Sequence, residues 1–115
     1  MPKIPNYISA PAYALTGERP DWKDLIACAY PVGPAEWYDE HLAEGMRNAG
    51  RKTARCLEFA KSLVTPGITT RAIETQVLDW ALSHGCYPSS LNYGNFPGSL
   101  CTSVNNVIAH GVPNE

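Results

Sequence analysis

The prolines of this chain are unevenly distributed, and this limits where long helices can form. Six of the ten prolines fall within the first 38 residues. Proline fixes φ and lacks the backbone N–H that a helix interior requires. We therefore predict an extended, proline-rich and aromatic-rich arm over residues 1–38, followed by a folded unit over residues 39–115.

Large aromatic side chains in the arm argue against free disorder. They are Tyr7, Tyr13, Trp22, Tyr30 and Trp37. Rings of this size stabilise a fold only when they pack on another surface, so we expect an arm that docks on the body of the protein. A proline-rich ligand for an aromatic groove on a partner protein is the alternative.

Charge and hydropathy disfavour two kinds of partner. The chain has nine basic and eleven acidic residues, a net charge of -2, and no basic stripe suited to nucleic acid or an anionic membrane. No apolar run approaches the roughly twenty residues of a membrane span, and the first residues resemble neither a signal peptide nor an Arg-rich transit peptide. We expect a soluble, monomeric, cytoplasmic protein, with a mitochondrial location as the alternative.

The four cysteines are spread along the chain without a Cys-x-x-Cys pair. They are Cys28, Cys56, Cys86 and Cys101. Their spacing gives no zinc knuckle and no thioredoxin-like motif, so free thiols in a reducing compartment are expected. Two disulfides are the alternative, although nothing in the sequence indicates secretion.

A change of pattern at residue 39 predicts an amphipathic helix that ends near Val64. Its apolar positions recur at intervals of three and four: Leu42, Met46, Ala49, Thr53, Cys56, Leu57, Ala60 and Leu63. Pro66 and Gly67 then turn the chain, and Thr69 or Thr70 can cap the next helix.

The second predicted helix has a short apolar stripe and clear termination signals. The stripe consists of Ile73, Val77, Trp80 and Ala81. His84 suits the negative end of the helix dipole, and Gly85 suits a left-handed cap. After Gly85, β-branched and small polar residues predict short antiparallel strands, which gives an α+β fold with an incomplete layer.

Three long motifs in the second half resemble the first half of a type 1 methionine aminopeptidase. They read "YPSSLNY", "FPGSLCTSVNNVI" and "HGVP", and the earlier stretch "IPNYISAPAYA" is similar to the linker of eukaryotic cytosolic members. The resemblance implies a pita-bread fold of two similar halves, of which this chain is the N-terminal one. It also implies removal of the initiator methionine by hydrolysis of the Met–Xaa bond before a small second residue.

The resemblance implies cofactors and partners as well. Family members use two divalent metal ions, which can be Co, Mn, Fe or Zn, and their ligands are two Asp, one His and two Glu. All five follow the His-Gly-φ-Pro turn, so we expect no divalent metal ligand in residues 1–115 and no activity from this chain alone. The expected partners are nascent polypeptides with an N-terminal Met, together with an association with the ribosome.

The resemblance also assigns candidate site residues. His110 matches the catalytic histidine that contacts the substrate, while Tyr93, Phe96 and Cys101 match the pocket for the methionine side chain. Aromatic edges and a small thiol suit a polarisable thioether. The carbonyls of Asn105 and Val107 match a site for a monovalent cation, Na or K.

Four positions depart from the residues most frequent in the family. They are Ser90, Gly98, Asn106 and Ala109, in place of Pro, Lys, Glu and Cys. None carries an implied catalytic role, although Ser90 and Gly98 are expected to alter the rim of the pocket.

Several other interpretations stay open at the level of sequence. His110 could be purely structural, could form a nucleophilic pair with Cys101, or could share a zinc ion with His84, Cys86 and Cys101. The whole protein could also be a catalytically dead pita-bread protein that binds protein or RNA. A proline-specific peptidase of the same fold is the remaining alternative.

Overall fold

The computed structural model describes residues 2–19, 21 and 40–115. Within these ranges the chain forms helix α1 (Tyr13–Thr16), helix α2 (Glu40–Leu63), helix α3 (Thr70–Ser83) and a 3-10 turn at Tyr93–Asn95. None of the described helices is both long and apolar enough to cross a membrane.

Helices α2 and α3 are the two helices that the periodicity predicted, and the structure arranges them as an antiparallel hairpin. The Phe59 and Trp80 rings stack with centroids 6.2 Å apart. Nearer the start of α2, Lys52 Nζ donates a hydrogen bond of 2.9 Å to the His84 carbonyl at the end of α3. The earlier residue of α2 contacts the later residue of α3, and the later residue of α2 contacts the earlier one. The two helices therefore run in opposite directions. The predicted start at Asp39 lies outside the described residues.

The ends of α3 follow the signals in the sequence. Thr69 accepts a 3.1 Å hydrogen bond from the Ala72 amide, which is the expected N-cap. His84 stacks on Trp80 at a centroid distance of 3.8 Å, and Gly85 takes a left-handed φ of 68°. The predicted apolar stripe of α3 faces inward: Ile73, Val77 and Ala81 are buried and Trp80 is half-buried.

The structure does not confirm the predicted short antiparallel strands. From residue 86 to residue 115, all of which are described, the chain forms turns, bends, the 3-10 turn and irregular segments. Two backbone hydrogen bonds span the turn around Asn105: the Thr102 amide donates to the Gly111 carbonyl at 2.9 Å, and the Val107 amide donates to the Val104 carbonyl at 3.2 Å. An antiparallel ladder needs repeated pairs of such bonds, so the strands remain a prediction.

The arm docks on the turn that follows α3. Asn92 Nδ2 donates 3.1 Å hydrogen bonds to the carbonyls of Tyr13 and Ala14, and the Asn95 amide donates one of 2.9 Å to the Gly17 carbonyl. Gly17 has a φ of 71°, and a Cβ there would collide with the Asn95 side chain. Another residue at position 17 would therefore strain the left-handed backbone and displace the Asn95 side chain.

The expectation that the arm's rings dock is met by Tyr13 and is wrong for Tyr7, which is 75% exposed. Trp22, Tyr30 and Trp37 lie outside the described residues. The predicted boundary between arm and body, at residue 38, lies there too and remains a prediction.

Candidate functional site

An open cavity of about 760 Å³ lies between the arm, the turn after α3 and the last residues of the chain. Its lining consists of Tyr13, Arg19, Ser89, Ser90, Tyr93, Gly94, Asn95, Phe96, Pro97, Cys101 and His110. The four residues predicted to contact substrate, Tyr93, Phe96, Cys101 and His110, are all among them. Asn105 and Val107 lie outside this lining, in an exposed turn.

Cys101 and His110 come into direct contact across the end of the chain. The Cys101 Sγ and His110 Nδ1 atoms are 3.9 Å apart. Gly111 makes this approach possible, because a Cβ there would overlap the Thr102 carbonyl. His110 itself has a positive φ of 55°, so the backbone leaves the extended conformation at this residue. The contact suits a shared pocket wall, and at 3.9 Å it is longer than the hydrogen bond that a nucleophilic pair needs.

A buried carboxylate fixes the segment that carries Cys101. The side chain of Glu74 on α3 accepts hydrogen bonds from the Ser99 amide, at 2.6 Å, and from the Ser99 hydroxyl, at 3.3 Å. Its other oxygen pairs with Arg71. Because Ser99 precedes Cys101 by only two residues, its hydrogen bonds to Glu74 fix the position of Cys101 in the cavity wall relative to α3.

The last residues are fixed from the same helix. Arg71 Nη2 donates a 2.8 Å hydrogen bond to the Pro113 carbonyl, and the Arg71 amide donates one of 2.9 Å to Asn114. The Thr70 hydroxyl donates to the Asn114 carbonyl at 3.0 Å and accepts from the Asn114 amide at 2.8 Å. The first turn of α3 thus holds residues 110–115, the segment that includes His110.

The arm supplies two cavity residues that the sequence alone did not identify, Tyr13 and Arg19. The Tyr13 hydroxyl donates a 2.8 Å hydrogen bond to the Ser89 carbonyl, and its ring meets Tyr93 edge to face at a centroid distance of 5.3 Å. Burial, with a smaller contribution from Tyr93, raises the pKa of Tyr13, so the side chain remains a neutral phenol. The aromatic residues of the arm predicted that the arm docks on the body of the protein, but they did not predict the position at which it docks.

The four residues that depart from the family pattern lie in different surroundings. Ser90 lines the cavity, and its hydroxyl donates a 2.6 Å hydrogen bond to the Ser99 carbonyl. Gly98 is buried, with Phe96 and Pro113 packed against it. Asn106 and Ala109 are exposed and lie outside the cavity lining.

The described residues do not form a metal centre. No cluster of three or more His, Cys, Asp or Glu side chains suited to a metal ion occurs among them. The zinc site suggested for His84, Cys86, Cys101 and His110 is therefore wrong, because His84 is bound to Trp80 at the end of α3 while Cys101 and His110 line the cavity. Cys56, Cys86 and Cys101 are free thiols, and Cys28 lies outside the described residues.

Comparison with known families agrees with the hairpin and cavity described above. The family model described as "Metallopeptidase family M24" matches residues 44–115. This segment contains most of α2, all of α3 and the turns that carry Tyr93, Phe96, Cys101 and His110. The chain belongs to metallopeptidase family M24, whose pita-bread fold is the fold expected above.

Methionine aminopeptidases are among the proteins of known function to which the chain is similar. Methionine aminopeptidase 1D, mitochondrial, of Mus musculus is 40% identical over 112 residues, which are 97% of this chain and 31% of that protein. Methionine aminopeptidase 1B, chloroplastic, of Arabidopsis thaliana is 39% identical over 112 residues, 97% of this chain and 28% of that protein. The chain thus spans less than a third of either relative.

A solved structure shows the same relationship in three dimensions. The crystal structure of methionine aminopeptidase from Rickettsia prowazekii matches 67% of this chain and 31% of its own, with 39% identity and a TM-score of 0.65. About two thirds of this chain therefore has the backbone arrangement seen in part of a methionine aminopeptidase.

Proposed function

We propose that this chain is the N-terminal part of a methionine aminopeptidase, which hydrolyses the bond between an initiator methionine and a small second residue. Its substrates are nascent polypeptides. The chain itself supplies the arm and the first half of the catalytic domain, and the rest of the enzyme supplies the second half.

The observation that carries this proposal is the meeting of Tyr93, Phe96, Cys101 and His110 in one cavity of about 760 Å³. Two aromatic rings and a thiol offer a soft, largely apolar surface that suits the methionine thioether. The edge formed by Cys101 and His110 places a hydrogen-bonding imidazole beside that surface. A pocket for the side chain next to a group for the peptide bond is the arrangement that an exopeptidase requires.

On this proposal His110 contacts the scissile peptide group and stabilises the charge that develops as the bond breaks. Tyr93, Phe96 and Cys101 bind the methionine side chain. By the family resemblance, the two divalent ions would be held by ligands in the remaining part of the enzyme, where they would activate water for the hydrolysis. The carbonyls of Asn105 and Val107 bind a monovalent cation, Na or K.

For the full-length enzyme we propose a monomer in the cytoplasm that works on chains as they leave the ribosome. A mitochondrial location is the alternative, since the relative from Mus musculus is described as mitochondrial. Fluorescence microscopy of the tagged full-length protein in cells decides between the two compartments.

Replacement of His110 tests the proposed function. In the full-length enzyme, His110→Ala should lower kcat for Met-Ala-Ser by about two to four orders of magnitude, the scale of a lost acid–base or oxyanion contact. KM should change much less, because the contact strengthens in the transition state. Metal content and melting temperature should stay close to those of the unmodified enzyme. His84→Ala is the matched control, since that imidazole lies at the end of α3.

Four results would count against the proposal. Loss of metal from His110→Ala would make His110 a ligand, and unchanged turnover would make it a structural residue. A full-length protein that cleaves no Met peptide when supplied with cobalt or manganese would be the catalytically dead relative. Cleavage of Ala-Pro peptides in preference to Met-Ala-Ser would indicate the proline-specific peptidase.

A further inference from the structure

We propose that Tyr13 of the arm is a positioning residue for the methionine pocket, so that the arm takes part in selecting the first residue of the substrate. This inference rests on the proposed function and adds a wall that lies outside the segment matched by the family model, residues 44–115.

Tyr13 stands directly behind a residue of the proposed pocket. Its ring lies 5.3 Å from that of Tyr93, with the two planes at 89°, and both rings line the same cavity. Edge-to-face contact fixes the orientation of a ring more strongly than apolar burial alone does. The Tyr93 residue is 42% exposed, so its ring is only partly enclosed by the protein.

The backbone around Tyr93 is tied to the same part of the arm. Asn92 and Asn95, which bracket Tyr93, both take positive φ values, of 60° and 62°. Asn92 binds the carbonyls of Tyr13 and Ala14, and Asn95 binds that of Gly17. Left-handed backbone at a residue other than glycine persists where the surroundings hold it in place. The arm therefore restrains the backbone of this turn as well as the Tyr93 ring.

The ring and the hydroxyl of Tyr13 have separate roles. The hydroxyl binds the Ser89 carbonyl and anchors the arm, while the ring supports Tyr93. A second ring, that of Tyr87, lies 6.2 Å from the Tyr13 ring, so Tyr13 belongs to an aromatic row in which it contacts both Tyr87 and Tyr93. Removing the hydroxyl alone should leave the row in place, whereas removing the ring should leave a gap behind Tyr93.

Steady-state kinetics of the full-length enzyme test this inference. Tyr13→Ala should raise KM for Met-Ala-Ser by about 5- to 20-fold and lower the preference for Met over Leu by a similar factor, with kcat within about twofold, because the pocket wall loses its support and the reacting groups do not. Tyr13→Phe should restore nearly all of both. Tyr7→Ala, at an exposed tyrosine of the same arm, is the matched control and should have no effect.

Amide hydrogen exchange over residues 92–96 provides a readout that needs no turnover. Tyr13→Ala should speed exchange there, and Tyr13→Phe and Tyr7→Ala should not. Unchanged exchange overturns the inference even if the protein cleaves no Met peptide, an outcome that would separately remove the proposed function. An active Tyr13→Ala variant with an unchanged Met-over-Leu preference also overturns it, because the arm would then be structural only.

Discussion

Glu74 is the residue that joins α3 to the cavity wall. Its carboxylate is buried, with 6% of the residue exposed, and it satisfies the Ser99 amide 25 positions along the chain. Arg71 neutralises it and also reaches the Pro113 carbonyl. A buried charge costs free energy unless it is paired and hydrogen-bonded, and these partners meet both conditions. One ion pair thus holds the segments that carry Cys101 and His110.

Glu74→Gln should lower the free energy of unfolding of the full-length enzyme by about 1–3 kcal/mol, because the amide keeps an acceptor for Ser99 and loses the charge that pairs with Arg71. Urea denaturation measures this change. Glu58→Gln, at an exposed position of α2, is the control and should alter stability by less than about 0.5 kcal/mol. Equal effects of the two substitutions would show that the Glu74 pair contributes nothing specific.

At the scale of elements, the first turn of α3 has two tasks. Its N-cap, Thr69, starts the helix, and the next residue, Thr70, binds Asn114 through both the amide and the carbonyl. The Thr69 hydroxyl therefore satisfies one of the free backbone amides at the start of α3, and the Thr70 hydroxyl holds Asn114 in place. This couples the stability of α3 to the position of His110.

Thr70→Val keeps the branched shape of the side chain and removes every hydrogen bond that the Thr70 hydroxyl makes with Asn114. We expect the full-length enzyme to lose about 1 kcal/mol of stability. Hydrogen exchange should accelerate at residues 110–114 while the middle of α3 stays protected. The control is Thr75→Val, since the Thr75 hydroxyl only binds back to the Arg71 carbonyl within the helix. If exchange near His110 does not change, the contact with Asn114 does not hold this segment.

At the scale of the molecule, much apolar surface is left uncovered by the described residues. Met46, Leu57 and Val64 are 61%, 68% and 65% exposed, and Ile108 is 98% exposed. A second cavity of about 430 Å³ separates parts of α2 and α3 from the residues that follow α3. Surfaces of this kind normally pack against other parts of a domain. In the enzyme that we propose, the second half of the catalytic domain covers them.

The 115-residue chain expressed by itself should therefore be poorly folded and inactive. We expect it to bind the dye ANS strongly, to unfold without a sharp transition, and to release no methionine from Met-Ala-Ser with added cobalt or manganese. The full-length enzyme under the same conditions is the positive control. Cleavage by the short chain would place a complete metal site within it and contradict the proposed division between the two halves.

Local signals in the sequence were enough for the two long helices, but they did not predict α1 within the arm. The three-and-four spacing predicted α2 and α3, and Thr69 and Gly85 marked the ends of α3, because caps and periodicity depend on neighbours within one or two turns. The resemblance of the motifs gave Tyr93, Phe96, Cys101 and His110 as site residues. Their roles remain predictions, although the structure brings all four to one cavity.

Only the tertiary structure decided how distant segments meet. Strands were predicted from β-branched residues after Gly85, but a ladder forms only where a partner supplies repeated backbone bonds, and a single such bond joins Thr102 and Gly111. The docking of Tyr13 on Tyr93 links residues that lie 80 positions apart, and the bond from Glu74 to Ser99 spans 25. Such contacts depend on the path of the whole backbone in space, which no local pattern of residue types specifies.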